Sequence, residues 1–243
     1  HRLVPAVADL ELAAALAAAA RGKAEIDIEV DTGMRRHGIA LGDLAEFVRA
    51  LRVHPQLEVR GVFTHFAGLD AAALPSLRAQ WSEFVAAATA LRQRGREVRL
   101  HACNTLGALL LPEAHADAVR IGGGLYGFDP GCRDIVLRPA MTLRTHIAAL
   151  RRVAAGDRVG YGGTHVCASD AVLALLPCGY ADGLSRVHWN GAEVLVRGRR
   201  ARVVGHVSMN QMVVDATGID AIVGDEVVLL GAQGQDRVRP EAV

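Results

Sequence analysis

The sequence predicts an α/β plus β chain: part of a (β/α)8 TIM-type barrel over residues 1–138, followed by an all-β domain over residues 139–243. Three observations carry this. Up to about residue 125 the pattern alternates between helix-like and strand-like segments. After Pro139 no long helical pattern remains, and strand candidates follow one another between Gly, Asp and Asn. Four strand-and-helix units fill the first part, half of the eight that occupy roughly 250 residues in a complete parallel barrel.

Ala6 to Arg21, rich in alanine and leucine, predicts a helix. "AEIDIEVDT" (24–32) alternates with β-branched residues on one face and reads as a strand with a polar tip. A helix over Leu41 to Leu51 leads to a strand, "EVRGVFTHFA" (58–67), and to a long helix over Ser76 to Arg94. A strand at "EVRLHACN" (97–104), a short helix over Leu106 to Leu111 and a strand at "DAVRIGG" (117–123) complete the series. Half a barrel leaves raw edges. Either further units lie upstream of His1 or these units form an open sheet, and a start without Met favours the first. Those edges also predict that the chain expressed alone aggregates or needs a partner fragment. In the second part, "MTLRTHIAAL", "AVLALLP", "AEVLVRG", "ARVVGHVSM", "QMVVDA" and "DEVVLLG" read as strands, and the polar stretch before Val243 reads as a helix start.

With 27 basic and 26 acidic residues the charge is balanced, which gives no electrostatic footprint for nucleic acid or an anionic membrane. The basic run Arg197 to Arg202 reads as a solvated hairpin turn. Cys103, Cys132, Cys167 and Cys178 lack C-x-x-C spacing and read as thiols of a reducing, cytoplasmic compartment. The longest apolar run, Leu12 to Ala20, is far shorter than the ~18 residues of a membrane span.

In a parallel barrel, chemistry sits at the C-terminal strand ends. There the sequence places Asp31 with Arg36, His65, Asn104 with Thr105, and Arg120 with Gly122, a set aimed at one mouth. Any one of them is explained by ordinary structure; the four together are harder to explain that way. Gly122 to Gly124 after a strand allow backbone N–H groups to close on an anion, with the Thr105 hydroxyl beside them.

These residues resemble the alanine racemase family, pyridoxal-phosphate-dependent enzymes with an N-terminal barrel and a C-terminal β domain. The resemblance runs through "VDTGMRRHGI" (30–39), "GVFTHFA" (61–67), "HACNT" (101–105), "VRIGGGLYG" (119–127), "PAMTLRTHI" (139–147), "VGYGGTH" (159–165), "PCGYADGLSR" (177–186) and "VVGHVSMNQ" (203–211). It implies racemisation of L-alanine to D-alanine by two bases, a role in supplying D-alanine for cell-wall synthesis, and a head-to-tail homodimer. Arg120 would face the pyridine nitrogen of pyridoxal 5′-phosphate, and a guanidinium gives up no proton to it. His65, Asn104, Thr105, Gly122 and Gly123 would complete the cofactor site. Tyr161 would be one catalytic base, supported through His65 and Arg120. A tyrosine titrates near ~10, so a base working near neutrality needs its anion stabilised by some 3 to 4 kcal/mol. Arg36 and the Met209 backbone would bind the substrate carboxylate, Tyr180 would line the entrance, and Glu29 would offer Arg36 a carboxylate.

The sequence also departs from the family. The lysine that is the second base and carries the cofactor is missing, and the only lysine, Lys23, lies in an unrelated motif. Both ends look truncated. Glu29 stands where many members carry a modified lysine, Asn210 replaces an aspartate and His165 a tyrosine. These departures leave serine or a broader substrate range open, and leave open a catalytically dead fragment that binds cofactor or a partner only. A barrel hydrolase with Asp31, His65, His101 and His206 on a metal lacks any close H-x-H or H-E-x-x-H pair.

Overall fold

The computed structural model describes residues 3–92, 98–128, 131–132, 135–186 and 191–239. The chain divides into two compact units: residues 1–125 with 129–137, and residues 126–128 with 138–243.

The first unit holds strands β1 (Ala6–Val7), β2 (Ala24–Asp31), β3 (Ile39–Ala40), β4 (Leu57–Phe63) and β5 (Arg99–His101), and helices α1 (Leu10–Ala19), α2 (Leu44–Ala50), α3 (Leu74–Arg92) and α4 (Thr105–Leu110). All its strand pairs are parallel, in the order β1-β2-β4-β5 with β3 against the end of β2. One sheet face is lined by Ile26, Ile28 and Val30 of β2 and packs with Leu44, Phe47, Leu77 and Phe84 of the helices into a single core. Helix α1 is capped by Asp9, whose Oδ1 accepts from the Leu12 N–H at 2.6 Å, and buries only Ala13 and Ala17. Two alanines four residues apart give α1 a smooth face toward the core.

The other face of β2 carries Glu25, Asp27, Glu29 and Asp31, and Asp27 on it is buried. Both faces of β2 are therefore in use, as in a barrel wall with a polar interior. Between Ile26 and Asp27 the β2–β4 register shifts by one residue, so that Arg60 is the extra residue of β4 and Gly61 lies opposite Asp27. A Cβ on Gly61 would come within 2.8 Å of Asp27 Oδ1, so the glycine makes room for the carboxylate.

Three expectations need correction. Ala6 and Val7 are the edge strand β1, not the start of a helix. The strand at 117–123 is reduced to one bridge, Ala118 with His101. There the Asp117 carboxylate accepts the Leu100 N–H at 2.7 Å, a position that a strand carbonyl would otherwise take. The polar stretch near the end forms a hairpin strand, not a helix start, through a turn with Gly234 at φ 63°. The expected ends at Arg94 and Glu97, the Asn190 turn residue and residues 240–243 lie outside the described residues.

The second unit has β6 (Leu143–His146), β7 (Ala149–Val153), β8 (Arg158–Val159), β9 (His165–Val166), β10 (Ala171–Leu176), β11 (Glu193–Val196), β12 (Arg199–Val203), β13 (Met212–Asp215), β14 (Glu226–Gln233) and β15 (Asp236–Val238). One antiparallel sheet runs β15-β14-β11-β12-β13-β10-β7 with β6 on β14, and β8–β9 is a separate hairpin. Val194, Val196, Val203, Met212, Val214, Val227 and Leu229 alternate inward to form its main core. Two arginines of the basic run are ion-paired: Arg197 with Asp225 at 2.6 Å, and Arg200 with both Glu193 and Asp236 at 2.8 Å. Among the described residues, no helix is long and apolar enough to cross a membrane.

Candidate active site

Strands β4 and β5 end at Phe63 and His101, and the chain beyond them, with the segment after the Ala118 bridge, builds one cleft. It has a volume of about 310 Å³ and is lined by His65, Asn104, Thr105, Arg120, Gly122 and Gly123, with Gly68, Leu69 and Leu106. The six residues expected at a cofactor site thus share one surface.

Arg120 is fixed from several sides. Its Nη2 donates to the Thr64 carbonyl at 2.7 Å and its Nη1 to His101 Nδ1. Its guanidinium carbon lies 4.9 Å from the centre of the Phe63 ring, a cation–π contact. Burial lowers its pKa, opposed by the nearby charges of Glu29, Cys103 and Asp27, and an arginine remains charged in such a setting. His65 Nδ1 lies 3.5 Å from Arg120 Nη2. Burial first, then the Arg120 and Arg36 charges, push the His65 pKa down, so the ring is neutral at neutral pH.

On the other side of the cleft, Thr105 Oγ1 accepts from the N–H groups of Gly122 at 3.3 Å and Gly124 at 3.2 Å. A Cβ on Gly122 would meet nothing within 4 Å, which leaves open space over that backbone. Asn104 lines the cleft but is engaged with the backbone. Its Oδ1 caps α4 through the Gly107 N–H at 3.0 Å, and its Nδ2 reaches the Phe66 and Gly68 carbonyls. These bonds hold the loop in shape.

Glu29 acts electrostatically on Arg120, and among the described residues it forms no ion pair with Arg36. The expected direct service to Arg36 is not seen. Asp31 is committed to its own turn, accepting from the Gly33 N–H at 2.7 Å and the Arg35 N–H at 3.0 Å. Of the four residues weighed as metal ligands, His101 faces an arginine, and no cluster of three such ligands occurs among the described residues. Lys23 precedes β2, at the opposite end of the strand from the cleft. Its Nζ donates to the Pro55 carbonyl at 2.8 Å and pairs with Glu58 at 3.2 Å.

The second unit carries the remaining expected residues. Tyr161 stands 73 % exposed on a turn between β8 and β9. Gly160 (φ 73°) and Gly162 (φ 72°) hold that turn in the left-handed region, and Arg158 Nη1 closes it on the Gly163 carbonyl at 3.2 Å. Tyr180 and Met209 are brought together by backbone bonds, Tyr180 N–H to the Ser208 carbonyl at 3.0 Å and Ala181 N–H to that of Met209 at 2.8 Å. Gly179 permits this approach, since its Cβ would lie 2.6 Å from the Met209 carbonyl oxygen.

The alanine racemase N-terminal domain family matches residues 1–130, and the alanine racemase C-terminal domain family matches residues 140–243. The chain belongs to the alanine racemase family. The alanine racemase of Syntrophobacter fumaroxidans is 43 % identical over 224 residues, covering 90 % of this chain and 60 % of its own length. The alanine racemase structure from Streptomyces coelicolor A3(2) superposes with a TM-score of 0.87 at 32 % identity, over 98 % of this chain and 66 % of that one. That from Bacillus anthracis, solved with bound L-Ala-P, gives 0.86 at 31 % identity, over 96 % and 63 %. The chain thus spans about three fifths of the curated relatives it matches. Its fold is accordingly the family's: part of an N-terminal α/β barrel followed by a β domain.

The sequence reading missed Asp27, Arg60 and the position of His101 beneath the cleft. A usable signal existed in the polar residues recurring every second position through "EIDIEVD", a pattern that in a two-sided parallel strand marks the barrel interior.

Proposed function

We propose that this chain is the cofactor- and substrate-binding portion of a pyridoxal-phosphate-dependent racemase that interconverts L- and D-alanine. One observation carries the reading: Arg120, Thr105, Gly122, Gly123 and His65 converge on a single cleft of the first unit. The set fits the cofactor's three chemical features. The Thr105 hydroxyl and glycine N–H groups suit its phosphate, the flat neutral His65 its ring, and Arg120 its ring nitrogen. When bound, the cofactor supplies an electron sink for negative charge developing on the substrate's α-carbon.

Arg120 donates hydrogen bonds and withholds protons, which limits that sink and favours return of the proton to the carbon it left. Arg36 supplies a positive charge for a carboxylate, and Tyr180 and Met209 form a rim that orients the substrate. Tyr161 holds and moves a proton at Oη on one face. The base for the other face is a lysine outside these 243 residues, since Lys23 is tied down away from the cleft. Tyr161 serves the cofactor of a second copy in a head-to-tail homodimer, a geometry supported by the family and by the side chain's exposure. The four thiols suit a cytoplasmic enzyme. The test is a racemisation assay of the complete polypeptide with pyridoxal 5′-phosphate, run separately on L-alanine, D-alanine and L-serine. Interconversion of the alanines supports the reading; a cofactor-loaded protein inert on all three overturns it.

A further inference from the structure

Beneath the cleft a line of polar side chains that the proposed reaction does not use directly, Arg60, Asp27 and His101, leads up to Arg120. Asp27 is 7 % exposed, and Arg60 grips it with two hydrogen bonds, Nε to Oδ1 at 3.2 Å and Nη2 to Oδ2 at 2.8 Å. On the far side, His101 Nε2 lies 3.6 Å from Asp27 Oδ2, and His101 Nδ1 meets Arg120 Nη1. The His101 ring stacks on Phe63 with centroids 4.9 Å apart and planes 7° apart, which fixes the plane of the ring. The order is Arg60, Asp27, His101, Arg120: a cation, an anion, an imidazole and a cation.

The donors fix the protons. Arginine has no acceptor, so the nitrogen facing Arg120 must present a lone pair. His101 is then neutral at Nδ1 and carries its proton on Nε2, aimed at Asp27. We propose that Asp27 is a positioning residue: held by Arg60, it faces the Nε2 side of His101 and, together with Arg120 on the Nδ1 side, holds that ring in one tautomer and orientation, which in turn fixes Arg120 at the cleft. The Asp27 carboxyl suits this task. Burial raises its pKa, but the facing His101 ring, the Arg60 hydrogen bonds and the Arg60 charge together outweigh burial and hold it below the ordinary carboxylate value, so it is ionised at neutral pH. At 3.6 Å the approach to His101 is longer than a closed hydrogen bond, so the Arg60 pair is the firmer anchor and the Asp27 field does the orienting. The β2–β4 register shift and Gly61 exist to fit this pair, since one delivers Arg60 and the other makes space for Asp27.

The consequence for cofactor binding rests on the racemase reading, whereas the tautomer does not. The experiment is therefore a pair of measurements on the complete polypeptide with labelled histidine nitrogens and on its Asp27→Asn variant, with His101→Gln used to assign the signal. Two-bond nitrogen–proton spectra report the His101 tautomer without cofactor, and an absorption titration reports pyridoxal 5′-phosphate affinity. An asparagine cannot accept from both His101 and Arg60 with both its atoms. The expected result is a pure Nε2–H form in the parent, a mixture of forms in the variant, and about tenfold weaker cofactor binding, the lower end for loss of an outer-shell partner. A mixture in the variant with no cofactor binding by either protein supports the positioning and defeats the racemase reading. An unchanged tautomer in the variant overturns the positioning, even if both bind cofactor. Should Asp27→Asn not fold, Arg60→Gln, which frees Asp27 from its anchor, decides in its place: a mixture of forms supports the proposal, and an unchanged tautomer overturns it.

Discussion

The two units present functional side chains in opposite ways. In the first unit His65, His101, Asp27 and Arg120 are largely withdrawn from water and hold one another, so each position depends on its neighbours. In the second unit Tyr161, Tyr180 and Met209 are exposed, and the backbone places them: glycine conformations around Tyr161 and crossed loop bonds beside Tyr180 and Met209. The first arrangement couples site to stability; the second separates them. Groups that must hold a charged, flat cofactor gain from a shared low-dielectric network, whereas groups that meet a small mobile substrate need access.

The largest expected effect lies in the first unit's core. Phe84 is fully buried in the first unit's core, and Phe84→Ala should cost about 3–5 kcal/mol, read as a lowered urea midpoint. Arg120→Ala comes next. It strips the Thr64 carbonyl of its donor and leaves His101 Nδ1 without one, and should cost about 1–3 kcal/mol together with the loss of cofactor binding. An exposed side chain should behave otherwise: Tyr161→Phe should leave stability within about 0.5 kcal/mol by the same melts. In the complete enzyme it should nonetheless cripple proton removal from one alanine enantiomer, read as exchange of the α-hydrogen in heavy water. Equal retained exchange from both enantiomers would remove Tyr161 from the proton path.

Acid should sharpen the contrast. The folded state holds His65 below its unfolded pKa of ~6.5, so the unfolded chain binds the proton more readily. The stabilisation is complete above ~6.5 and is lost as pH falls through that value toward the lower folded pKa. His65→Asn should flatten this part of the stability curve in an acid titration. The smallest effect concerns Cys103, whose thiol burial pushes up to about 11 while its Sγ bonds the Ala114 carbonyl at 3.2 Å. It should resist iodoacetamide in the native state at neutral pH, and rapid alkylation there would show that the core opens.

Much of this was legible in residue order. The strand at 24–31 announces itself by β-branched alternation, those at 57–63 and 99–101 by their place between helix-like segments, and the cleft residues by their place at strand ends. Two-residue β1 was hidden because Ala6 and Val7 adjoin an alanine-rich helix and have no period of their own. The segment at 117–123 has strand-like residues, yet a side-chain carboxylate replaces its ladder, a substitution no propensity reveals. Asp27 and Arg60 escaped notice because they meet only through a one-residue register shift between strands 33 positions apart in sequence. The β domain was easier, since antiparallel neighbours joined by short turns repeat their pattern locally.

The most direct test of the central claim, that the first unit's cleft is the cofactor site, is an absorption titration of this chain and of Arg120→Ala with pyridoxal 5′-phosphate. The account predicts saturable binding of one equivalent by the parent chain and its loss in the variant. Binding that survives Arg120→Ala undiminished, or no saturable binding by the folded parent, would contradict it.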